Sequence, residues 1–366
     1  MPQKKSFLFY LGHPAQYHFL KNVVITLRKN GHFVKYVIRT KDILEELLLN
    51  NGENYVNILP EGRKSNKTNI MYALLKREFR LYHLLKKEKY DLLIGSDPSI
   101  AHMGKLFKIP SMICTEDDYK VIHYLARLAF PYADCIFAPI PCNVGKWGDK
   151  KIAYNGYQKL ACLHPNYFIP EKNKVLINAN DKYFLIRLSS LSAHHDFGIK
   201  GFSKKYVFQI IDILSKYGRV LISSENVIDE ELKKYKLEIN PNDIHHYLYF
   251  AELFISDSQS MSIEAALLGT PSLRFSDFSG RISVLEELEK KYDLTYGFNS
   301  TQFTDLVSKL NALLSIKNLK EEFQNKRLNM LKDKIDVTKF MVWLLENYPD
   351  SINTVRENPN YQFSFK

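Results

Sequence analysis

Cysteine is scarce in this sequence, and long apolar runs are missing from it. Four cysteines (Cys114, Cys135, Cys142, Cys162) stand among 366 residues, with no Cys-x-x-Cys or zinc-type spacing. That excludes a disulfide scaffold and argues against a metal site. They read as reduced, buried residues of a cytoplasmic protein. No stretch of about 18 apolar residues occurs, so no membrane-spanning helix is expected. The start, Lys4-Lys5 followed by Ser6–Leu11, is too short in its apolar part for a signal peptide, and Gly12-His13-Pro14 interrupts it. It reads as a first β-strand, and the sequons at Asn66 and Asn299 then carry no weight. Low-complexity segments and repeats of solenoid length are also lacking. The chain should be globular, apart from a polar tail near Asn358–Lys366.

Positive charge is in excess: 51 lysines and arginines against 40 acids, a formal net charge of +11. This favours anionic partners such as phosphorylated ligands or membrane surfaces. A nucleic-acid partner is not expected, because no basic motif with interleaved aromatics is present. The densest basic stretch, Lys76 to Lys89, alternates with Leu74, Leu75, Phe79, Leu81, Tyr82, Leu84 and Leu85. It is either an amphipathic helix with a solvated basic face or a patch that rests on anionic lipid at the inner face of a membrane.

Strand-like and helix-like segments alternate from end to end. Strands are expected at Phe7–Leu11, Phe33–Ile38, Tyr55–Ile58, Asp91–Gly95, Ser111–Cys114 and Cys135–Ala138, with helical patterns between them. Between Tyr154 and Val175 the rhythm breaks at Asn-Gly, His-Pro and Ile-Pro dipeptides, which suits a hinge. A second series follows, with strands at Tyr183–Leu188, Val220–Ser223, Leu253–Ser256 and Ser272–Arg274. Continuous apolar strands between helices imply parallel sheets covered on both faces. The expected architecture is α/β, with two doubly wound Rossmann-like domains facing across a cleft. Residues 1–160 would form the first and 161–336 the second, with a C-terminal helix at about 337–366 packing back on the first.

The most informative segment is Phe254 to Pro271. A buried strand runs into Asp257-Ser258-Gln259-Ser260-Met261, and those residues open a helix. Free amides and the positive end of the helix dipole make such a start a natural phosphate site. Ser258 and Ser260 add hydroxyl donors. Glu264, one turn on in an otherwise apolar helix, is a carboxylate able to accept both hydroxyls of a ribose. Helix capping alone accounts for Asp257 and Ser258 but not for Glu264.

The Asp-Ser-x-x-x-x-x-Glu-Ala-x-x-x-Gly-x-Pro run resembles the nucleotide-binding segment of non-hydrolysing UDP-N-acetylglucosamine 2-epimerases and of GT-B glycosyltransferases related to the lipid-II-forming N-acetylglucosaminyltransferase. That resemblance implies that Glu264 holds the ribose and Ser258–Met261 the diphosphate. Gln259-Ser260 stands where the epimerases have Gly-Gly. Three further stretches are similar to a prokaryotic family of epimerase-like, GT-B-type proteins. They are Gly12-His13-Pro14-Ala15-Gln16-Tyr17-His18-Phe19-Leu20-Lys21-Asn22, Tyr157–Pro165 and Ser192–Gly201, and Gln16 replaces the middle histidine of the first.

Candidate chemistry lies in the loops after strands. Gly12 opens the first of these, where His13 either takes a proton from an acceptor hydroxyl or orients the loop. Glu116 and Asp117, with Asp118, supply a base, bind acceptor hydroxyls or cap the next helix. In the second domain Ser189, His195 and Lys200 suit a diphosphate clamp, Lys200 neutralising the leaving phosphate. Arg274 reaches the sugar or a phosphate, or makes an ion pair. No metal and no cofactor is expected; the nucleotide-sugar is the substrate. The leading expectation is a UDP-sugar glycosyltransferase of GT-B architecture in cell-surface polysaccharide or glycoconjugate assembly, with a saccharide or lipid-linked acceptor. The alternatives are a UDP-sugar epimerase, although the epimerase Arg-Pro-Glu loop is absent after the first strand, and a non-catalytic nucleotide-sugar binder.

Overall fold

The computed structural model describes residues 4–62, 67–178, 181–189, 202–224 and 228–366. The chain divides into two compact units, Met1–Tyr167 with Lys334–Lys366, and Phe168–Asp333.

The first unit is built on β1 (Ser6–Leu11), α1 (Pro14–Lys29), β2 (Phe33–Ile38), α2 (Leu44–Asn50) and β3 (Tyr55–Asn57). It continues with α3 (Lys67–Lys87), β4 (Leu92–Gly95), α4 (Pro98–Phe107), β5 (Ser111–Cys114), α5 (His123–Ala129), β6 (Cys135–Pro139), β7 (Lys151–Tyr154) and the short α6 (Leu160–Leu163). Its strands form one parallel sheet in the order β3-β2-β1-β4-β5-β6-β7. Phe7, Leu8, Phe9 and Leu11 of β1 are fully buried, as a central strand covered on both faces must be. On α1, Leu20, Val23, Val24 and Leu27 recur at helical spacing and are buried. Each such side chain contributes about 1.5–3 kcal/mol of hydrophobic stabilisation.

In the second unit follow β8 (Tyr183–Leu188), α7 (Lys204–Leu214), β9 (Arg219–Ser224), α8 (Ile244–Phe250), β10 (Leu253–Ser256), α9 (Gln259–Leu267) and β11 (Ser272–Phe275). Then come α10 (Ser283–Lys290), β12 (Thr295–Phe298), α11 (Phe303–Leu314) and α12 (Leu319–Asp333). The sheet is parallel in the order β12-β11-β10-β8-β9.

Both sheets reverse their direction of growth once, between β1 and β4 in the first and between β8 and β10 in the second. Such switch points open a crevice at the carboxyl ends of the strands.

The chain returns to the first unit through α13 (Val337–Glu346), α14 (Asp350–Glu357) and a closing 3-10 segment, Pro359–Phe365. The expectation of a loose polar tail is corrected here. Phe365 and Tyr361 pack on Trp343, and Phe365 also meets Phe340. Gln362, buried, accepts from the amide of Asn155 at 2.6 Å. The aromatic residues scattered in that polar stretch are what anchor it. Two other expectations are also corrected. The helix that the sequence pattern places at Asp229–Lys236 is a 3-10 helix over Glu230–Tyr235, with one buried side chain, Leu232. The edge strands β7 and β12 are absent from the expected set, being only four residues each.

Asp336 ties the two passages of chain at the edge of the first unit. Its buried carboxylate accepts from Asn166 Nδ2 (2.8 Å), the Tyr167 hydroxyl (3.0 Å) and, as cap of α13, the amide of Lys339 (3.0 Å). On the opposite face of the sheet, α3, α4 and α5 lie side by side. His102 of α4 joins them, Nδ1 to Glu78 of α3 at 2.5 Å and Nε2 to the carbonyl of Leu128 of α5 at 2.7 Å. Two acceptors require two donors, hence the imidazolium. The Glu78 contact accordingly raises the pKa of His102 above its ordinary value, against partial desolvation.

Two outcomes follow. Asp336→Ala should cost about 3 kcal/mol in urea unfolding, because it strips a cap and leaves buried donors unpaired. For His102 the folded-state pKa lies above the unfolded one, so its contribution is complete below about pH 6.5 and is lost as pH rises through the folded value. The stability gap between the native protein and His102→Gln should therefore shrink from pH 6 to pH 8; a gap independent of pH would rule out the imidazolium.

Candidate functional site

In the second unit the switch point is closed by a side chain. Asp257, the first residue beyond β10, accepts the amide of Ser189, the first residue beyond β8, at 2.7 Å. The bond occupies an amide that no strand neighbour can pair, and it holds the two strand ends together. Ser256 Oγ accepts the amide of Ser258 at 2.7 Å, which turns the chain out of the strand. Ser258 then caps α9, its hydroxyl facing the amide of Met261 at 3.5 Å. The amides at this helix start point beyond the sheet, as anion binding requires.

One turn into α9 the helix is buried nearly all round, through Ile263, Ala265, Ala266 and Leu267. Glu264 is buried there as well. Ser260 Oγ donates to its Oε1 at 3.4 Å, and Nε2 of His245 on α8 lies 3.3 Å from its Oε2. A carboxylate in such a setting persists only with polar partners. Sequence reasoning named Glu264 and Ser260 but missed His245, whose place beside Glu264 depends on the packing of α8 on α9.

Arg274, on β11, stands in register with Ser256 on one side and Gly297 on the other. It is 1% exposed. Nη2 pairs with Glu289 of α10 at 2.5 Å, and Glu289 also accepts the amide of Gly297. Gly297 is needed for close approach, since a Cβ there would lie 2.7 Å from Nη2 of Arg274 and 2.3 Å from Oγ of Ser279. Burial lowers the pKa of the guanidinium, with Glu289 opposing the shift. Its Nε and Nη1 have no partner among the described residues; neither do Oγ of Ser189 and Oε1 of Gln259, all of them buried. Ser189 follows β8, Gln259 opens α9 and Arg274 lies on β11; the arginine nitrogens and the serine hydroxyl can donate to an anionic guest, whereas the Gln259 oxygen needs a donor. His195 and Lys200 lie outside the described residues.

The first unit carries a second polar cluster at its own switch point. Gly12 ends β1, and its amide donates to Gln16 Oε1 at 2.6 Å. His13 caps α1, Nδ1 accepting from the amide of Ala15 at 3.2 Å, with Nε2 3.8 Å from Asp42. While Nδ1 accepts, the ring proton belongs on Nε2. After β4, Asp97 caps α4 and pairs with buried Arg77 of α3 at 3.1 Å. Burial opposes ionisation of Asp97, but Arg77 and the Ser99 hydroxyl and amide outweigh it and hold its pKa below the ordinary value. Nε and Nη1 of Arg77 again lack partners among the described residues. The sequence reading did not single out Asp97, and it counted Arg77 only as part of the basic stretch.

Of the three acids after β5, two are engaged. Glu116 is buried, ion-paired with Lys159, and accepts the amide of Gln158 at 2.6 Å. Asp118 accepts the amide of Asn143 at 2.7 Å. Asp117, half-buried, has a carboxylate with no partner among the described residues.

Arg274 provides a check on the second-unit site. A guanidinium with buried, unpaired donors costs about 1–3 kcal/mol per group, so Arg274→Met should leave the melting temperature unchanged or raise it. Where the site holds the diphosphate expected from the sequence, the same change should weaken its binding about tenfold. A clear loss of stability with affinity intact would make Arg274 a structural ion pair only.

No family model matches the chain, and no curated protein matches it by sequence. Solved structures do resemble it. A UDP-GlcNAc 2-epimerase from Neisseria meningitidis, bound to UDP-GlcNAc, superposes with a TM-score of 0.66 at 17% identity, over 93% of this chain and 100% of that one. S. aureus MnaA in complex with UDP gives 0.66 at 13% identity, over 95% and 98%. CalG4, the calicheamicin glycosyltransferase, gives 0.58 at 12% identity, over 94% and 98%. The chain has the fold that GT-B glycosyltransferases and UDP-GlcNAc 2-epimerases share, two Rossmann-like α/β units in succession.

Proposed function

We propose that the protein is a glycosyltransferase that takes its sugar from a UDP-linked donor, held on the second unit, for cell-surface polysaccharide or glycoconjugate assembly. The observation that carries this reading is the closed switch point with its orphaned donors: Asp257 bridging to Ser189, the α9 start at Ser258–Met261, and Arg274 beside them. In it the diphosphate sits on the α9 amides and the Ser258 and Ser260 hydroxyls. Arg274 supplies charge to the phosphate or the sugar, and Glu264 accepts the ribose hydroxyls.

Catalysis would then rest on orientation and on charge placed where the nucleotide departs. Lys200 and His195 are proposed for that role, together with Arg274. The acceptor, a saccharide or a lipid-linked saccharide, is assigned to the first unit. Asp117 is the best placed base among the expected residues, because its carboxylate is free while Glu116 and Asp118 are occupied. His13 would serve only after giving up its cap.

A sugar-nucleotide epimerase is the second reading. It is favoured by the resemblance to epimerase structures with UDP-GlcNAc and UDP bound. It would need acids of the first unit for proton transfer to and from the sugar.

Calorimetry with UDP should give a binding isotherm that Glu264→Ala weakens about tenfold or more. Retained affinity would remove the ribose assignment. Incubation with UDP-GlcNAc alone separates the two reactions. A transferase leaves the sugar unaltered until an acceptor is added, whereas an epimerase yields the C2 epimer without one. In the transferase, Asp117→Asn should lower kcat about 100-fold or more with UDP affinity unchanged.

A further inference from the structure

The outer face of α3 is apolar where a surface helix should be polar. Met71, Tyr72, Leu75 and Phe79 are 51%, 58%, 56% and 65% exposed. Positions 71, 75 and 79 succeed one another at i, i+4 and i+8 and make one stripe, with the Phe79 ring 4.5 Å from that of His83. The helix is anchored from its other side by Ala73, Leu74, Leu81 and Leu85, so the stripe is surplus to the core. On the neighbouring helices Leu106 of α4 and Tyr124 of α5 are also exposed. Isolated apolar residues on a surface need no explanation, but a stripe along one helix, with further exposed apolar residues on the helices packed beside it, marks a contact surface.

Charge identifies the partner. The only acid on α3, α4 and α5 is Glu78, and it is taken up by His102. Lys86, Lys87, Lys105 and Arg127 are exposed on the same three helices and make no ion pair among the described residues. Lys76 and Arg80, by contrast, share Glu61, at 2.9 and 3.1 Å, and Arg77 is buried against Asp97. Part of the basic stretch is thus internally neutralised, and what remains rims the apolar stripe. A second copy of this face would set cation against cation. A bilayer with anionic headgroups satisfies both features, taking the apolar side chains below the headgroups and the lysines at their level.

We propose that the α3–α4–α5 face seats the protein on an anionic membrane surface through Met71, Leu75 and Phe79, with Lys86 and Lys87 as its electrostatic contacts. No helix among the described residues is long and apolar enough to cross a membrane, so the contact would be peripheral. The proposal does not depend on which reaction the protein performs.

Co-sedimentation of the full chain with phosphatidylcholine vesicles, with and without phosphatidylglycerol, tests it. Binding is expected only with the anionic lipid and should fall as salt is raised. The triple variant Met71→Ser, Leu75→Ser, Phe79→Ser should bind about tenfold more weakly or not at all. Lys86→Gln with Lys87→Gln should weaken binding at low salt and flatten its salt dependence. All five side chains are exposed, and an unchanged circular-dichroism melt verifies folding. Failure of the native chain to bind anionic vesicles at low salt would overturn the proposal, as would binding that ignores the triple change. A third overturning result would be a dimer of the native chain, seen by light scattering, that the triple variant dissolves.

Discussion

A parallel sheet that reverses its direction of growth leaves two adjacent strands whose outgoing chains lead to opposite faces. Nothing in the sheet covers the backbone between them. In the second unit this gap is closed by one hydrogen bond, from the Ser189 amide to the Asp257 carboxylate. That bond places the turn at Ser258, the turn sets where α9 begins, and α9 carries Glu264. The α9 amides, the Ser258 and Ser260 hydroxyls and the Glu264 carboxylate therefore derive their positions from a single constraint on the strand ends. The first unit meets the same constraint between β1 and β4, where Asp97 and Arg77 form the polar group beside Gly12.

Two incompletely paired buried arginines belong to the polar clusters described above. Arg274 and Arg77 are both buried, each paired through one nitrogen and, among the described residues, unpaired through two. Asp336 is the opposite case, a buried carboxylate that accepts from Asn166, Tyr167 and the amide of Lys339. The contrast separates residues kept for stability from residues kept at a cost in stability. Destabilised polar groups are tolerated where a guest repays the cost.

One arrangement serves two chemistries. On the proposed reading, holding a nucleoside diphosphate and weakening the bond to its sugar is common to group transfer and to epimerisation, so the second unit would not discriminate between them. The discrimination falls to the first unit, to whether the reacting base belongs to an acceptor or to the sugar itself. Here the occupancy of Glu116 by Lys159 and the freedom of Asp117 matter more than the mere presence of three acids.

Strand positions were legible in the sequence because a strand covered on both faces must be apolar throughout. β2, β5, β8 and β10 lie at the residues that rule predicts. The Asp257–Glu264 segment was legible too, since a strand, a cap and a carboxylate at helical spacing are all local features. Short edge strands such as β12 and the aromatic anchorage of Pro359–Phe365 were not, for one is brief and the other is made by contacts with Phe340 and Trp343. His245 beside Glu264, Arg77 beside Asp97 and the division of labour among Glu116, Asp117 and Asp118 belong to the same class. Each joins residues on separate elements, and no local pattern encodes which partner a buried charge will find. Periodicity and capping are properties of a neighbourhood along the chain. Pairing of buried polar groups is a property of neighbourhood in space, and only the folded structure decides it.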